Sequence, residues 1–341
     1  GRINMHGDLA LLASNQYKKA KMRYPNVCGS GLFMEAIEQN PVYYDLAFEM
    51  PNHADSIRLR EWLAAYAERR YGAKSAAAVQ AWMYLLEGPY RKGTNGTERS
   101  SIVAARPALN VKKSGPNAGL GIPYDPMLVI RAQSALLKDA DRLALSRPYR
   151  FDIVDVQRQM MTNLGQLVHK KAAEAFTAKD KVAFALHSGR FLGLLKDMDE
   201  LLYTRSEYSF DRWLTEARSW GETEEEKDLM ERDATSLVTI WGADGDPRIF
   251  DYSWREWSGL INGYYLPRWQ KFYAMLQKHL DAGTDYQEEG LPLAYGREDF
   301  RANDFYNQLA GWELDYVART GKARTPATCG DELDITRRLF D

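Results

Sequence analysis

Apolar residues recur at three- and four-residue steps along most of this chain, the period of helices that bury one face. Residues 8–23 carry Leu9, Leu12, Ala13, Tyr17 and Ala20 on one stripe, and Tyr24-Pro25-Asn26 ends it. Helices are expected over 57–71, stopped by Gly72, and over 75–86, capped by Ser75. A stretch rich in Gly and Pro runs from there to Pro126 and reads as a long loop region. Helical spacing then resumes over 126–145, 152–176, 180–203, 210–220, 223–239, 252–280, 299–319 and 331–340. Thr223 and Glu226 stand at capping-box spacing, and Pro267 is expected to kink the aromatic-rich helix 252–280. No internal period repeats, which disfavours a solenoid of equal units.

One stretch breaks the helical pattern. Residues 27–33 read as a short apolar strand that runs into Glu35, and a helix over 42–48 follows. A strand that ends in an acid and leads into a helix is the βα unit of a parallel α/β structure, where ligands meet the carboxyl ends of strands. Glu35 is therefore a candidate for chemistry. The plain alternative is an exposed acid stabilised by the positive end of the next helix. Met50-Pro51-Asn52-His53 is a cluster of helix breakers and marks the expected domain boundary, after which the chain is an irregular all-α domain.

Composition narrows the classes. A length of 341 residues implies two domains or one large one, and 45% hydrophobic content implies a folded core. No apolar run reaches a membrane span, and a formal charge of −2 without a basic stripe argues against nucleic acid as a partner. Cys28 and Cys329 stand far apart in different contexts, so each is read as a buried small thiol. Nine Trp and twenty Tyr lean towards carbohydrate, because aromatic rings stack on the apolar faces of sugars.

Trp241-Gly-Ala-Asp-Gly-Asp-Pro-Arg-Ile-Phe-Asp-Tyr252 is the second candidate site. Trp241 is either core packing at a helix end or a stacking platform for a sugar ring, with the Tyr252 hydroxyl as a hydrogen-bonding partner. Asp244, Asp246 and Asp251 fail the spacing of a helix-loop-helix calcium site. The five histidines show no metal spacing, and no nucleophile elbow supports serine catalysis. His6 stands out for its place in a Gly-containing opening segment. Asn95-Gly-Thr97 fits a glycosylation sequon, a triplet that chance supplies often.

At these residues the chain resembles the C-terminal part of glycoside hydrolase family 89, the α-N-acetylglucosaminidases. Gly29-Ser-Gly-Leu-Phe-Met-Glu35-Ala-Ile-Glu-Gln-Asn40 resembles the family's Gly-Thr-Gly-Met-x-Pro-Glu-Gly-Ile-x-Gln-Asn segment, which carries the catalytic nucleophile. Further matches are Ala67-Glu-Arg-Arg-Tyr-Gly72, Arg106-Pro-Ala-Leu109, Arg150-Phe-Asp-Ile-Val-Asp-Val156, Trp241-Gly with Asp251-Tyr252, and Asn262-Gly-Tyr-Tyr-Leu-Pro-Arg-Trp269. Met34 and Ala36 replace the family's Pro and Gly, and the loop after Trp241 is slightly longer. These departures touch loop shape and remove no functional group.

The resemblance implies a fold that is mainly α. Residues 1–50 would be the end of a (β/α)8 catalytic barrel whose remainder lies upstream, and residues 51–341 a helical C-terminal domain. It implies Glu35 as nucleophile, with Trp241, Ile249 and Tyr252 as substrate-binding residues, and His6 joins them as a substrate-binding candidate from its place in the opening segment. The general acid/base Glu would come from the upstream barrel segment of the same protein. The expected partner is a glycan with a terminal α-linked N-acetylglucosamine, hydrolysed with retention, and no cofactor or metal is needed. A homo-oligomer stays open. The implied compartment is secreted or periplasmic for a bacterial protein and lysosomal for an animal one, with no signal in this chain. Two other readings of the same residues are a non-catalytic helical module that binds glycans or builds an oligomer, and an α/α-toroid glycosidase.

Overall fold

The computed structural model describes residues 3–34, 39–93, 98–115, 119–241, 250–286, 288 and 304–340. The regular elements among the described residues are helices, as the apolar spacing implies. Helices α1 (Leu9–Ala13) and α2 (Gln16–Arg23) replace the single helix expected over 8–23. The break falls at Asn15, which adopts a left-handed φ of 55°. Asn tolerates that conformation, and its side-chain oxygen accepts from the Lys18 N–H at 2.9 Å to start the second helix.

Helix α3 (Pro41–Glu49) opens on a proline in its first turn, where the missing N–H costs nothing. Helix α4 (Leu59–Tyr71) stops at Gly72, φ 74°, and α5 (Ala76–Glu87) begins at Ser75, whose hydroxyl accepts from the Ala78 N–H. Helices α6 (Met127–Leu137) and α7 (Ala140–Leu143) share the span expected as one helix. Then come α8 (Arg147–Thr177), α9 (Lys181–Tyr203), α10 (Phe210–Arg218) and α11 (Glu224–Leu237). Thr223 and Glu226 form the full capping box at the start of α11.

The long helix expected over 252–280 starts later and differently. A π-helical turn, Ile261–Tyr265, leads into α12 (Leu266–Ala282), with Pro267 in the first turn of α12 rather than at a kink within it. Proline has no N–H to give to the preceding turn, so the ladder there shifts to the wider spacing. The Asp199 carboxylate accepts from the Gly259 and Asn262 N–H groups at 2.8 and 3.1 Å, capping this helix start from α9. Helices α13 (Asp304–Ala318) and α14 (Glu332–Phe340) complete the order.

The strand expected over 27–33 does not form. Residues 27–34 carry no regular structure and leave Phe33 fully exposed, and no strand occurs among the described residues. A parallel strand exists only through hydrogen bonds to neighbouring strands, and the described residues offer none. The same exposure overturns the expectation of buried thiols, because Cys28 and Cys329 are both exposed in irregular stretches.

Cα packing divides the chain into two compact units. The first comprises Gly1–Arg99, Ile122–Met160 and Glu332–Asp341. Its core gathers Leu63, Tyr66, Trp82, Val129, Tyr149 and Ile153, all buried. The second comprises Ser100–Gly121 and Met161–Asp331. There Phe191 of α9 meets Trp269 of α12 edge to face at 4.7 Å, and Tyr273 packs on both. Aromatic burial of this kind supplies much of the apolar area that holds a helical domain together.

Candidate active site

His6 sits half-buried in a segment that is neither helix nor strand, so its backbone groups need partners from elsewhere. The segment is tied down residue by residue. The Ile3 N–H donates to Glu98 Oε1 at 3.0 Å, the Met5 N–H to Gln159 Oε1 at 2.9 Å, and the His6 N–H to Asn40 Oδ1 at 2.9 Å. Asn40 does more than this one task. Its Oδ1 also accepts from the Tyr90 hydroxyl at 2.8 Å, and its Nδ2 donates to the Asn4 carbonyl at 3.1 Å. Burial pushes the Tyr90 phenol well above its ordinary range, which keeps it a donor. Asn40 holds a left-handed φ of 49° while its carbonyl starts α3. Gly7, at φ 140°, must be glycine, since a Cβ there would lie 2.3 Å from the Tyr43 ring.

The aromatic candidates lie in the other unit. The Trp241 and Tyr252 rings stand 4.6 Å apart at 37°, both half-buried, so each packs on the other and keeps surface for a ligand. The backbone at this pair is unusual, because Trp241 and Asp251 both hold left-handed φ, at 57° and 58°. Two 2.6 Å hydrogen bonds secure it: Trp241 N–H to the Ser236 carbonyl, and Asp251 N–H to the Thr239 carbonyl.

Beneath this backbone lies a buried cluster of four charges. The Arg268 Nη1 donates to Asp251 Oδ2 at 2.9 Å and to Glu313 Oε1 at 3.0 Å, while its Nη2 donates to the Ala104 carbonyl at 2.7 Å. Arg106 grips Glu313 with two hydrogen bonds, at 3.2 and 2.6 Å. Arg268, Asp251 and Glu313 are almost wholly shielded from solvent. Burial lifts the Asp251 carboxyl to about 7, with Arg268 pulling it down and Glu313 adding to the rise. Burial alone would lower Arg268, but Asp251, Tyr264 and Glu313 outweigh it and hold the guanidinium above its ordinary range.

Of the site residues expected from sequence, His6, Trp241 and Tyr252 are placed as described, the last two in ring contact. Glu35 and Ile249 lie outside the described residues, as do Glu38, Asp244, Asp246 and Asn95. Asp251, weighed from sequence as a calcium ligand, is instead engaged by Arg268. No group of three His, Cys, Asp or Glu side chains among the described residues is placed to hold a metal. Asn40 and the charge cluster escaped the sequence reading. Arg106, Asp251 and Arg268 do fall inside segments that carry the family resemblance, which was the one available signal.

A helical domain adjoining residues like the end of a barrel is the architecture that the comparisons recover. Residues 62–341 match the family described as Alpha-N-acetylglucosaminidase (NAGLU) C-terminal domain, and residues 1–54 match its tim-barrel domain. The chain belongs to the alpha-N-acetylglucosaminidase family, glycoside hydrolase family 89. It is similar to human alpha-N-acetylglucosaminidase, 32% identical over 340 residues, which is 97% of this chain and 42% of the human protein. It is also similar to a family 89 glycoside hydrolase of Clostridium perfringens, solved in complex with PUGNAc. That match has a TM-score of 0.88 and 29% identity, and covers 100% of this chain and 38% of the other. A Clostridium perfringens variant with two Glu→Gln substitutions, solved with its substrate GlcNAc-alpha-1,4-galactose, matches with a TM-score of 0.87 and 29% identity, covering 99% of this chain and 37% of that one. The chain thus spans well under half the length of the relatives it matches.

Proposed function

We propose that this chain belongs to an exo-acting glycosidase that removes terminal, non-reducing α-linked N-acetylglucosamine with retention of configuration. The observation that carries this reading is the match over 97% of the chain to an enzyme of that name, at 32% identity. Residues 1–50 are the end of the catalytic barrel and 51–341 the helical domain. Glu35 is the nucleophile and attacks the anomeric carbon to form a covalent glycosyl-enzyme. A second carboxyl, supplied by the barrel segment upstream, protonates the leaving oxygen and then activates water. In retaining enzymes the two carboxyl groups stand roughly 5–5.5 Å apart. Trp241, Ile249, Tyr252 and His6 are the chain's substrate-binding residues in this reading.

The substrate is a glycan capped by α-linked N-acetylglucosamine, in a lysosomal, secreted or periplasmic setting. No helix among the described residues is long and apolar enough to cross a membrane. An aryl α-N-acetylglucosaminide tests the reading. The chain joined to its upstream barrel segment is expected to hydrolyse it with the α-anomer as first product, and the 341-residue chain alone is expected to be inactive. Turnover by the chain alone would refute the upstream acid/base, and a β-anomer as first product would refute retention. Binding of N-acetylglucosamine without turnover by the joined protein would favour a non-catalytic glycan module.

A further inference from the structure

The buried charge cluster has no part in the proposed chemistry, yet it is built around the residue next to Tyr252. Residues 250–251 are pinned from several sides. The Asp251 carboxylate is held by Arg268, and the Phe250 ring lies under the Arg106 guanidinium at 5.4 Å. A Cβ on Gly115 would meet the Asp251 carbonyl at 2.6 Å, so another stretch of backbone closes on the same point. Left-handed φ at a non-glycine residue persists only where its surroundings over-determine it, and Asp251 meets that condition.

Stability alone does not account for four buried charges. Buried ion pairs commonly do no better than well-packed apolar residues, because desolvation offsets their attraction. What they fix well is geometry. Arg268 is a planar fork with its partners set by Ala104, Glu313 and Asp251, and Arg106 fixes Glu313 in turn. Such a fork locks the backbone at Asp251 in one orientation, and with it the ring that follows.

We propose that Asp251 and Arg268, backed by Glu313 and Arg106, are positioning residues that hold Tyr252 against Trp241 in the orientation that receives the terminal sugar. This inference rests on the sugar-facing reading of Trp241 and Tyr252. It assigns the cluster to substrate affinity, through the ring pair, and none of its members to contact with the sugar.

The test uses the joined enzyme and an aryl α-N-acetylglucosaminide, with the thermal midpoint recorded for every variant. Asp251→Asn is expected to raise KM about tenfold while kcat stays within about threefold, the pattern of lost uniform binding. Trp241→Ala is expected to raise KM by itself. Adding Asp251→Asn to Trp241→Ala is expected to raise it little further, since both act through one ring pair. Arg268→Lys, which keeps the charge and loses the fork, is expected to raise KM in the same way and serves where Asp251→Asn does not fold. Folded variants of Asp251 and Arg268 with unchanged KM, or with effects that multiply those of Trp241→Ala, overturn the inference. An unchanged KM in Trp241→Ala overturns the sugar-facing reading itself, and leaves the cluster nothing to position.

Discussion

The segment around His6 and the segment around Tyr252 are both irregular backbone, and they are held by different chemistry. At His6 and its immediate neighbours the fastening groups are neutral, the Asn40 and Gln159 amides and the Tyr90 phenol at 2.8–3.1 Å, while the charged Glu98 and Arg158 engage Ile3 at the start of the segment. The second rests on two guanidinium and two carboxylate groups, most of them out of reach of water. Neutral hydrogen bonds are worth little net, so their loss is graded. Removing one member of a buried charge network leaves its partners uncompensated, so the loss is abrupt. The two regions should therefore respond to substitution on different scales.

Arg268→Met tests the abrupt end. It is expected to cost 3–5 kcal/mol, roughly the penalty for breaking a buried ion pair, read from urea unfolding of the chain. A loss below about 1 kcal/mol would mean that water reaches the cluster, and would erase the contrast. Asn40→Ala tests the graded end, at about 2 kcal/mol for buried donors left without an acceptor.

Acidity separates the regions further, because the second unit also contains a buried titrating imidazole. Burial pushes His169 down to about 4, against the backbone carbonyls of Leu109 and Ala108, while its Nδ1 lies 2.9 Å from the Tyr273 hydroxyl. A histidine depressed in the folded state contributes stability that is complete above about 6.5 and is lost as pH falls towards its folded value. Between pH 7 and 5 the wild type should lose about 2 kcal/mol more than His169→Phe. Asp251, lifted to about 7, contributes the opposite slope, and comparing these two proteins cancels it. Equal losses in both would show that His169 is solvated. Thr223→Ala, at the start of α11, should cost only about 1 kcal/mol through loss of the helix cap.

The sequence disclosed what local chemistry dictates. Gly72, Ser75, Asp180 and the Thr223–Glu226 box mark helix ends in the structure because capping is settled within a few residues. Asn15 broke a helix that apolar spacing alone had continued, since a left-handed cap outweighed the stripe. Residues 27–33 read as a strand from their apolar run, but a strand is defined by partners that no local pattern contains. The charge cluster was hidden for the same reason: Arg106, Asp251, Arg268 and Glu313 are far apart in the chain and meet only in three dimensions. Resemblance pointed at three of the four segments without saying that they touch.

The central claim is that Glu35 is the nucleophile, and one substitution addresses it. Glu35→Gln in the chain joined to its upstream segment keeps the size of the side chain and removes its nucleophilic oxygen. The account predicts a folded protein that binds N-acetylglucosamine and does not turn over an aryl α-N-acetylglucosaminide. Substantial residual hydrolysis by that variant would contradict it.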